Sequence, residues 1–243
     1  MNMNTTNDEP YRAIHHHYLS WGKRWLDLCI CLPSLILAMP IMLILALAIY
    51  CESPGRVLFW QWRVGQYGHI FRIWKLRTMH PNAEAEGLPL LSGPNDSRVT
   101  RFGYWLRLTR LDEWPQLWNI LRGDMSLVGP RPERPYFSAS YAAVIPGYSL
   151  RHRMRPGLTG WAQVQLGYCS DLETTRVKTS FDLDYMKRIS PGLDLCILFL
   201  WTPRMLLNLL RHGPVFCFDH PTSSRGRFSG HAVTAMPDMG SRI

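Results

Sequence analysis

Asp112 and Glu113 are adjacent carboxylates inside the segment RLDEWPQLWNILRGDMSLVGPRP, residues 110–132. Arg107 and Arg110 lie just before them, and Arg122, Arg131 and Arg134 follow. Two kinds of chemistry fit such a cluster. The pair sits just ahead of Pro115, a proline suited to the first turn of a helix. It can therefore be a helix cap, because free backbone N–H groups and the helix dipole favour carboxylates there. The same helix start also attracts phosphate and keeps a carboxylate ionised. An ionised aspartate can attack phosphorus or bind Mg²⁺, and a neighbouring glutamate can share the metal or assist proton transfer. Arginines nearby can clamp phosphoryl oxygens through two hydrogen bonds at once. This second reading needs further cations, and Lys75, Arg77, Arg107, Arg131 and Arg155 supply them. From these residues alone both readings stand.

Several elements must position the cluster. RVLFWQWRVG and IFRIWKLRTM alternate apolar with polar or basic residues and predict two strands, with GQYGH as the turn between them. RFGYWLRLTRLDEWPQLWNILRG predicts a helix, a short break and a second helix. Trp114, Leu117, Trp118 and Leu121 recur in the second helix at helical spacing, and Gly123 ends it. SLVGPRPERPY predicts an extended loop. RMRPGLTGWAQVQ predicts a turn and a short strand, and SFDLDYMKRIS a helix or loop. NAEAEGLPLLSGPNDSR is a Pro- and Gly-rich loop.

Ahead of this body, residues 28–50 read LCICLPSLILAMPIMLILALAIY, without a single charge. As a straight helix the run would reach about 35 Å, enough to cross a bilayer core of roughly 30 Å. Pro33 and Pro40 fall inside it, and proline bends or breaks a helix. Basic residues flank both ends: Arg12, Lys23 and Arg24 before, Arg56, Arg63, Arg72, Lys75 and Arg77 after. A spanning helix normally shows that excess on one side only. A kinked span and a re-entrant helix that turns at Pro40 both remain open. A second apolar stretch, LDLCILFLWTPRMLLNLLR at 193–211, carries charges and Pro203. It suits an amphipathic helix on a membrane surface, or else a buried core helix.

The whole chain has 243 residues, a net charge of +9 and is 47% hydrophobic with ten tryptophans. The charge asks for an anionic partner: nucleic acid, lipid surface or phosphorylated substrate. The apolar content excludes a disordered nucleic-acid tail. Six cysteines at 29, 31, 51, 169, 196 and 217 form no Cys-x-x-Cys pair, so neither a zinc site nor a disulfide framework is indicated. His15–His17 reads as part of a solvated or interfacial tail.

These strings together resemble the bacterial sugar transferase family, the monotopic phosphoglycosyl transferases that begin cell-surface glycan assembly. The resemblance rests on KRWLDL, FRIWKLRTM, DSRVTRFGYWLRLTRLDEWPQLWNILRGDMSLVGPRP, RHRMRPGLTGWAQV and FDLDYMKRIS, in order over residues 23 to about 205. It implies that Asp112 is a nucleophile toward the β-phosphate of a UDP-sugar, releasing UMP. A covalent phosphosugar on Asp112 then passes to polyprenol (undecaprenyl) phosphate. Glu113 would support the metal and the second step, with Mg²⁺ as cofactor held by Asp112 and Glu113. Lys75, Arg77, Arg107, Arg131, Arg155 and Asp182 match positions around phosphate and nucleotide, and Gly157, Thr159 and Gly160 the turn beside them. The family commonly has Ser-Pro at its membrane-helix break; here the pair is Met39-Pro40. Nothing in the chain matches the extra spanning helices or the additional domain of larger relatives, so it resembles the short form.

The expected architecture is mixed α/β and mainly helical: a membrane-embedded re-entrant helix, a small cytosolic catalytic body and interfacial amphipathic helices. The expected segments are a tail at 1–20, the membrane helix at 21–55, the catalytic body at 56–192, the interfacial helix at 193–211 and a tail at 212–243. The expected place is the bacterial cytoplasmic membrane with the body on its cytoplasmic face. The expected partners are a UDP-sugar, polyprenol phosphate and the bilayer, and no nucleic acid; the sequence leaves the oligomeric state, the sugar and the glycan pathway open. The competing class is a membrane-anchored basic module that binds nucleic acid or anionic lipid, but the chain has no helix-turn-helix, RNA-recognition or zinc-finger signature.

Overall fold

The computed structural model describes residues 18–81, 83, 96–166 and 172–212. The His15–His17 run, most of the 82–98 loop and the tail from 213 onward lie outside them. Among the described residues the fold is mainly helical with two small sheets.

A one-turn π-helix, Tyr18–Gly22, leads into α1, Lys23–Glu52. At 30 residues α1 would be about 45 Å long if straight. The break expected at Pro40 does not occur: the backbone stays helical through Pro33 and Pro40. A proline removes one intrahelical hydrogen bond and crowds one carbonyl, which bends a helix without ending it. The remaining backbone groups go on pairing within the helix on either side of each proline. One stripe of α1 faces the body along its whole length. Lys23, Asp27, Cys31, Ala38 and Ile49 are buried, with Ile30, Leu35, Met42 and Leu45 half-buried between them. The steps of three and four residues are those of a single helix face. Trp25, Leu32, Ile36, Leu37, Leu43, Ile44, Leu47 and Tyr50 are exposed on the other faces. Among the described residues α1 is the one helix long and apolar enough to cross a membrane.

The two predicted strands form a hairpin. β1 (Leu58–Val64) pairs antiparallel with β2 (Ile70–Leu76), Trp60 opposite Trp74 and Phe59 opposite Lys75. The turn at Gln66–Gly68 needs positive φ at Tyr67 and Gly68. The helix, break and helix read from the central segment are α2 (Arg101–Thr109), a single 3₁₀ turn (Leu111–Glu113) and α3 (Gln116–Arg122). Thr100 caps α2 by accepting from Gly103 N, and Gly123 ends α3 at φ 91°. Of the four residues at helical spacing Leu117 is buried, and Trp118 is exposed.

β3 (Ser126–Val128) comes next, then a loop and α4 (Pro135–Val144). A 3₁₀ segment, Tyr148–Arg153, leads to β4 (Gly157–Thr159), which pairs parallel with β3. α5 (Trp161–Leu166) takes up the WAQVQ stretch expected to end the strand. α6 (Leu172–Arg188) is longer than the helical reading of SFDLDYMKRIS required. The 193–211 stretch lies in one helical run of three parts, starting at Pro191: α7 (Pro191–Cys196), a π turn (Ile197–Trp201) and α8 (Thr202–His212). Pro203 lies inside this run, directly after the π turn. Asp194 and Ile197 are buried, so the front of this run is core; Phe199, Leu200, Leu207 and Leu210 are exposed further along.

The main core joins Phe71 and Ile73 of β2, Leu117 and Ile120 of α3, Met125, Leu127 and Val128, Tyr185, Ile189 and Ile197. Cys31 and Ala38 of α1 belong to the same cluster. A second cluster joins Ile49 of α1 to Leu76 and Leu106.

Candidate active site

Three elements bring the acidic pair to its cations. Arg110 adopts a left-handed conformation, φ 62° and ψ 15°. It closes α2 and turns the chain so sharply that the 3₁₀ turn behind it faces the sheet. A non-glycine residue in this region carries strain of order 1 kcal/mol or more. Asn119 of α3 then fixes β2 against the pair. Its Oδ1 accepts from Trp74 N at 3.2 Å and its Nδ2 donates to the Arg72 carbonyl at 2.7 Å. One buried amide side chain thus pairs with the edge of β2 as a neighbouring strand would, and it sets the height of Lys75.

Asp112 and Glu113 are both buried, 6% and 5% exposed. Neither caps α3, whose first residue comes after Pro115 with no side-chain cap. Glu113 is the hub of a cation cluster. Its Oε1 lies 2.7 Å from Lys75 Nζ and 2.7 Å from Arg131 Nη2, and its Oε2 lies 3.3 Å from Arg110 Nη1. Burial alone would raise its pKa, but Arg131, Lys75 and Arg110 together hold it well below the usual carboxylate range. Asp112 differs. Its Oδ2 is 4.0 Å from Lys75 Nζ, and its buried Oδ1 has no hydrogen-bond partner among the described residues. Burial pushes its pKa up; Lys75 opposes this, while the charge of Glu113 adds to it. Two adjacent carboxylates are thereby driven apart, one saturated by cations and the other left free.

Arg131 reaches Glu113 from the loop after β3, and glycines hold that loop. A Cβ on Gly157 would meet Gly129 N at 2.1 Å, and one on Gly129 would meet the Arg155 carbonyl at 2.6 Å. Backbone therefore lies directly on backbone where the VGPRP and RPGLTG segments cross. Gly129 N donates to the Thr159 carbonyl and Gly157 N to the Pro130 carbonyl, each at 2.9 Å. On its other side the loop is tied to the hairpin: Val64 N donates to the Glu133 carbonyl at 2.9 Å, and Arg63 Nη1 to the Pro132 carbonyl at 3.0 Å.

The structure brings Lys75, Arg131, Asp112 and Glu113 into one cluster, with Arg107 close enough for its charge to act on Asp112. Arg107 Nε donates to Thr78 Oγ1 at 2.8 Å. Gly157, Thr159 and Gly160 lie on and just after β4, beneath the Arg131 loop. Arg77 is engaged elsewhere: its guanidinium donates to the Ser53 carbonyl, tying β2 to the end of α1. Asp182 sits behind the cluster, 2.7 Å from Arg151, and both are buried. Arg151 in turn donates to the Arg131 carbonyl at 3.0 Å. Asp182 thus acts on the clamp through Arg151. Arg155 carries no ion pair or side-chain hydrogen bond among the described residues. Sequence reasoning left Arg110 and Arg151 off the site. Nothing in the residue string signals a left-handed arginine. Arg151 does stand within the basic string RHRMRPG, a signal that a buried acid such as Asp182 could have been matched to.

Among the described residues no group of three or more His, Cys, Asp or Glu gathers to hold a metal. The pair still suits Mg²⁺, which is usually bound by one or two carboxylates together with substrate phosphates and water. Asp112 Oδ1, buried and unpartnered, is the oxygen open to it. Glu113 would have to release a cation to join.

A model of the family described as bacterial sugar transferase matches residues 18–208. A UDP-N-acetylgalactosamine-undecaprenyl-phosphate N-acetylgalactosaminephosphotransferase of Aeromonas hydrophila is 45% identical over 177 residues, covering 73% of this chain and 42% of that protein. A UDP-glucose:undecaprenyl-phosphate glucose-1-phosphate transferase of Escherichia coli is 41% identical over 188 residues, 76% of this chain and 40% of that protein. One of the same description from Caulobacter vibrioides is 44% identical over 186 residues, 76% of this chain and 69% of that protein. The chain thus spans less than half the length of the first two.

Proposed function

Because the chain belongs to the bacterial sugar transferase family, we propose that it is a phosphoglycosyl transferase moving a phosphosugar from a UDP-sugar to polyprenol phosphate. The observation that carries this is the division of labour in the acidic pair. Asp112 is free beside a cationic cluster whose countercharge Glu113 supplies.

In the first step an Asp112 carboxylate oxygen attacks the β-phosphorus. The bond from that phosphorus to the bridging oxygen breaks, and UMP leaves with its electron pair. The sugar phosphate stays on Asp112 as an acyl phosphate. In the second step an oxygen of polyprenol phosphate attacks the same phosphorus, freeing Asp112 and forming a polyprenyl diphosphosugar. Lys75 and Arg131, gathered beside Asp112, would meet the charge that accumulates on the phosphoryl oxygens, and preorganised cations stabilise such a transition state. Arg155, uncommitted, is available to the diphosphate. Mg²⁺, held by Asp112 and Glu113 with the diphosphate, would neutralise the leaving phosphate. Burial of Asp112 weakens its solvation and strengthens it as a nucleophile.

UDP-sugar and Mg²⁺ without polyprenol phosphate should leave the phosphosugar on the protein and release up to one equivalent of UMP. Intact-protein mass spectrometry measures the adduct. Absence of adduct with kinetics that require both substrates bound together would replace the two-step scheme with direct transfer. UMP release across a panel of UDP-sugars identifies the sugar, and salt-sensitive DNA binding without UMP release would favour the basic binding module.

The site also has to reach a lipid phosphate, and α1 supports a monotopic arrangement in the cytoplasmic membrane. Both of its ends pack on the same body. At the start Lys23 pairs with Asp194 and Arg24 donates to the Ile120 and Leu121 carbonyls. At the end Glu52 accepts from Phe102 N at 3.0 Å, and Ser53 accepts from Arg77. A helix crossing the bilayer would carry one end to the far side, away from the body. A continuous helix held to the body at both ends and lying shallow in one leaflet keeps both ends on the cytoplasmic face, where UDP-sugars are made. A cysteine engineered near the N-terminus should then resist labelling from the periplasm. Labelling there would restore a spanning helix.

A further inference from the structure

We propose that Asp27, inside the membrane helix, is a positioning residue for Arg131. Asp27 lies just over one turn into α1 and is 2% exposed. Its Oδ1 accepts from Leu127 N at 2.9 Å and from Ser126 Oγ at 3.0 Å. β3 is three residues long and buried throughout. One of its edges faces β4, with Ser126 and Val128 paired to Gly157 and Thr159, and Ser126 N donates to the Pro156 carbonyl at 2.9 Å. Successive N–H groups of a strand point to opposite edges, so Leu127 N faces away from β4. Another strand would ordinarily take it, and a buried N–H left alone is costly. Here a carboxylate from α1 takes that place.

The segment after β3 transmits position. Gly129 is packed between the backbones of Arg155 and Gly157, and Pro130 has a fixed φ. Arg131 comes next, with its guanidinium on Glu113. The chain from Leu127 to Arg131 has little slack, so the height of Leu127 against α1 sets the reach of Arg131. Among the described residues Asp27 uses one oxygen only; Oδ2 is buried without a hydrogen-bond partner there. A packing role alone would be served better by an apolar side chain. Lys23, one turn earlier, is committed to Asp194 and Tyr185 and holds the start of α1 in place.

The activity arm of the test rests on the proposed transfer reaction; the exchange arm does not. Asp27→Ala and Asp27→Asn are compared with the wild-type chain in the same nanodiscs. Hydrogen exchange over residues 126–131, melting temperature and UMP release are measured. Asp27→Ala should speed exchange in that segment and lower kcat per folded molecule by roughly 10- to 100-fold, the scale on which small misplacements act. Asp27→Asn keeps an acceptor and should recover most of both. Unchanged exchange over 126–131, unchanged kcat in the Ala variant, or an Asn variant as poor as Ala would overturn the inference. If Asp27→Ala does not fold, Ser126→Ala removes one of the two donors and should show the smaller effect in the same segment; no change there counts against the proposal. A wild-type chain that releases no UMP would fail the transfer reading, while the exchange arm still decides on Asp27.

Discussion

Asp112→Asn should reduce turnover by on the order of 10⁴-fold or more, the scale of losses when a covalent nucleophile is removed. The amide has nearly the same size, so the fold is retained. Stability should hold or rise, and burial sets the sign. Burial raises the folded-state pKa of Asp112, opposed by Lys75 and aided by Glu113. The ionised form is therefore less favourable in the folded chain than in the unfolded one, and at neutral pH it costs stability. Asparagine removes that cost. The gain should shrink as pH falls through the raised pKa and vanish below the ordinary aspartate value. Turnover and melting temperature, compared across pH in one preparation, test both parts. Residual turnover above a few per cent would remove Asp112 from the nucleophile's role, and a lower melting temperature at neutral pH would contradict the strained carboxylate.

Glu113→Gln should act in the opposite sense on stability. It removes the countercharge shared by Lys75, Arg110 and Arg131 and leaves buried cations uncompensated. Breaking a buried pair from one side costs about 3–5 kcal/mol. The folded pKa of Glu113 is depressed well below its ordinary value of 4.5. Its contribution is complete above that value and is lost as pH falls below it toward the folded pKa. The stability gap between wild type and variant should thus be full at pH 7 and narrow below about 4.5. Denaturant midpoints at several pH values measure it. A gap that is unchanged in acid would mean that the glutamate acts by shape and not by charge. Turnover should fall as well, because Lys75 and Arg131 lose the group that aims them.

Much of this architecture is legible in the residue string, for definable reasons. The hairpin is written in the alternation of FRIWKL and in GQYGH, and α2 and α3 in their periodicity, Thr100 and Gly123. The acidic pair and Lys75 are recognisable because ionisable groups stand out by type. The features that escape are set by contacts between distant segments. Asn119 serving as a strand edge to β2 depends on where α3 packs, and no local pattern encodes it. Arg110 turns left-handed because the packing of α2 and Glu113 requires it, not because arginine prefers it. From the string Asp182 belongs to the phosphate surroundings, yet Arg151, 31 positions earlier, claims it. The local effect of Pro40 is a break, whereas the helix continues through it with one stripe packed on the body on both sides of the proline. Leu117 and Trp118 share the helical spacing of α3, yet one is buried and the other exposed, because spacing cannot tell which flank of a short helix meets its neighbours.

The stripe on α1 bears on how this protein could be made to work in water. Truncation is the usual route to a soluble fragment, and here it would strip Cys31, Ala38 and Ile49 from two packed clusters. It would also leave Leu127 N and Phe102 N without their acceptors, and take from Asp194 its lysine partner. Such a fragment would expose its own interior. The opposite flank offers another route. Ile36, Leu37, Leu43, Ile44 and Leu47 are exposed and touch little of the body. Repainting those positions with Lys, Glu and Gln keeps helix propensity and leaves the inward stripe alone. The grease in α1 is thus separable, residue by residue, into an outward part that the body does not use and a part owed to the fold.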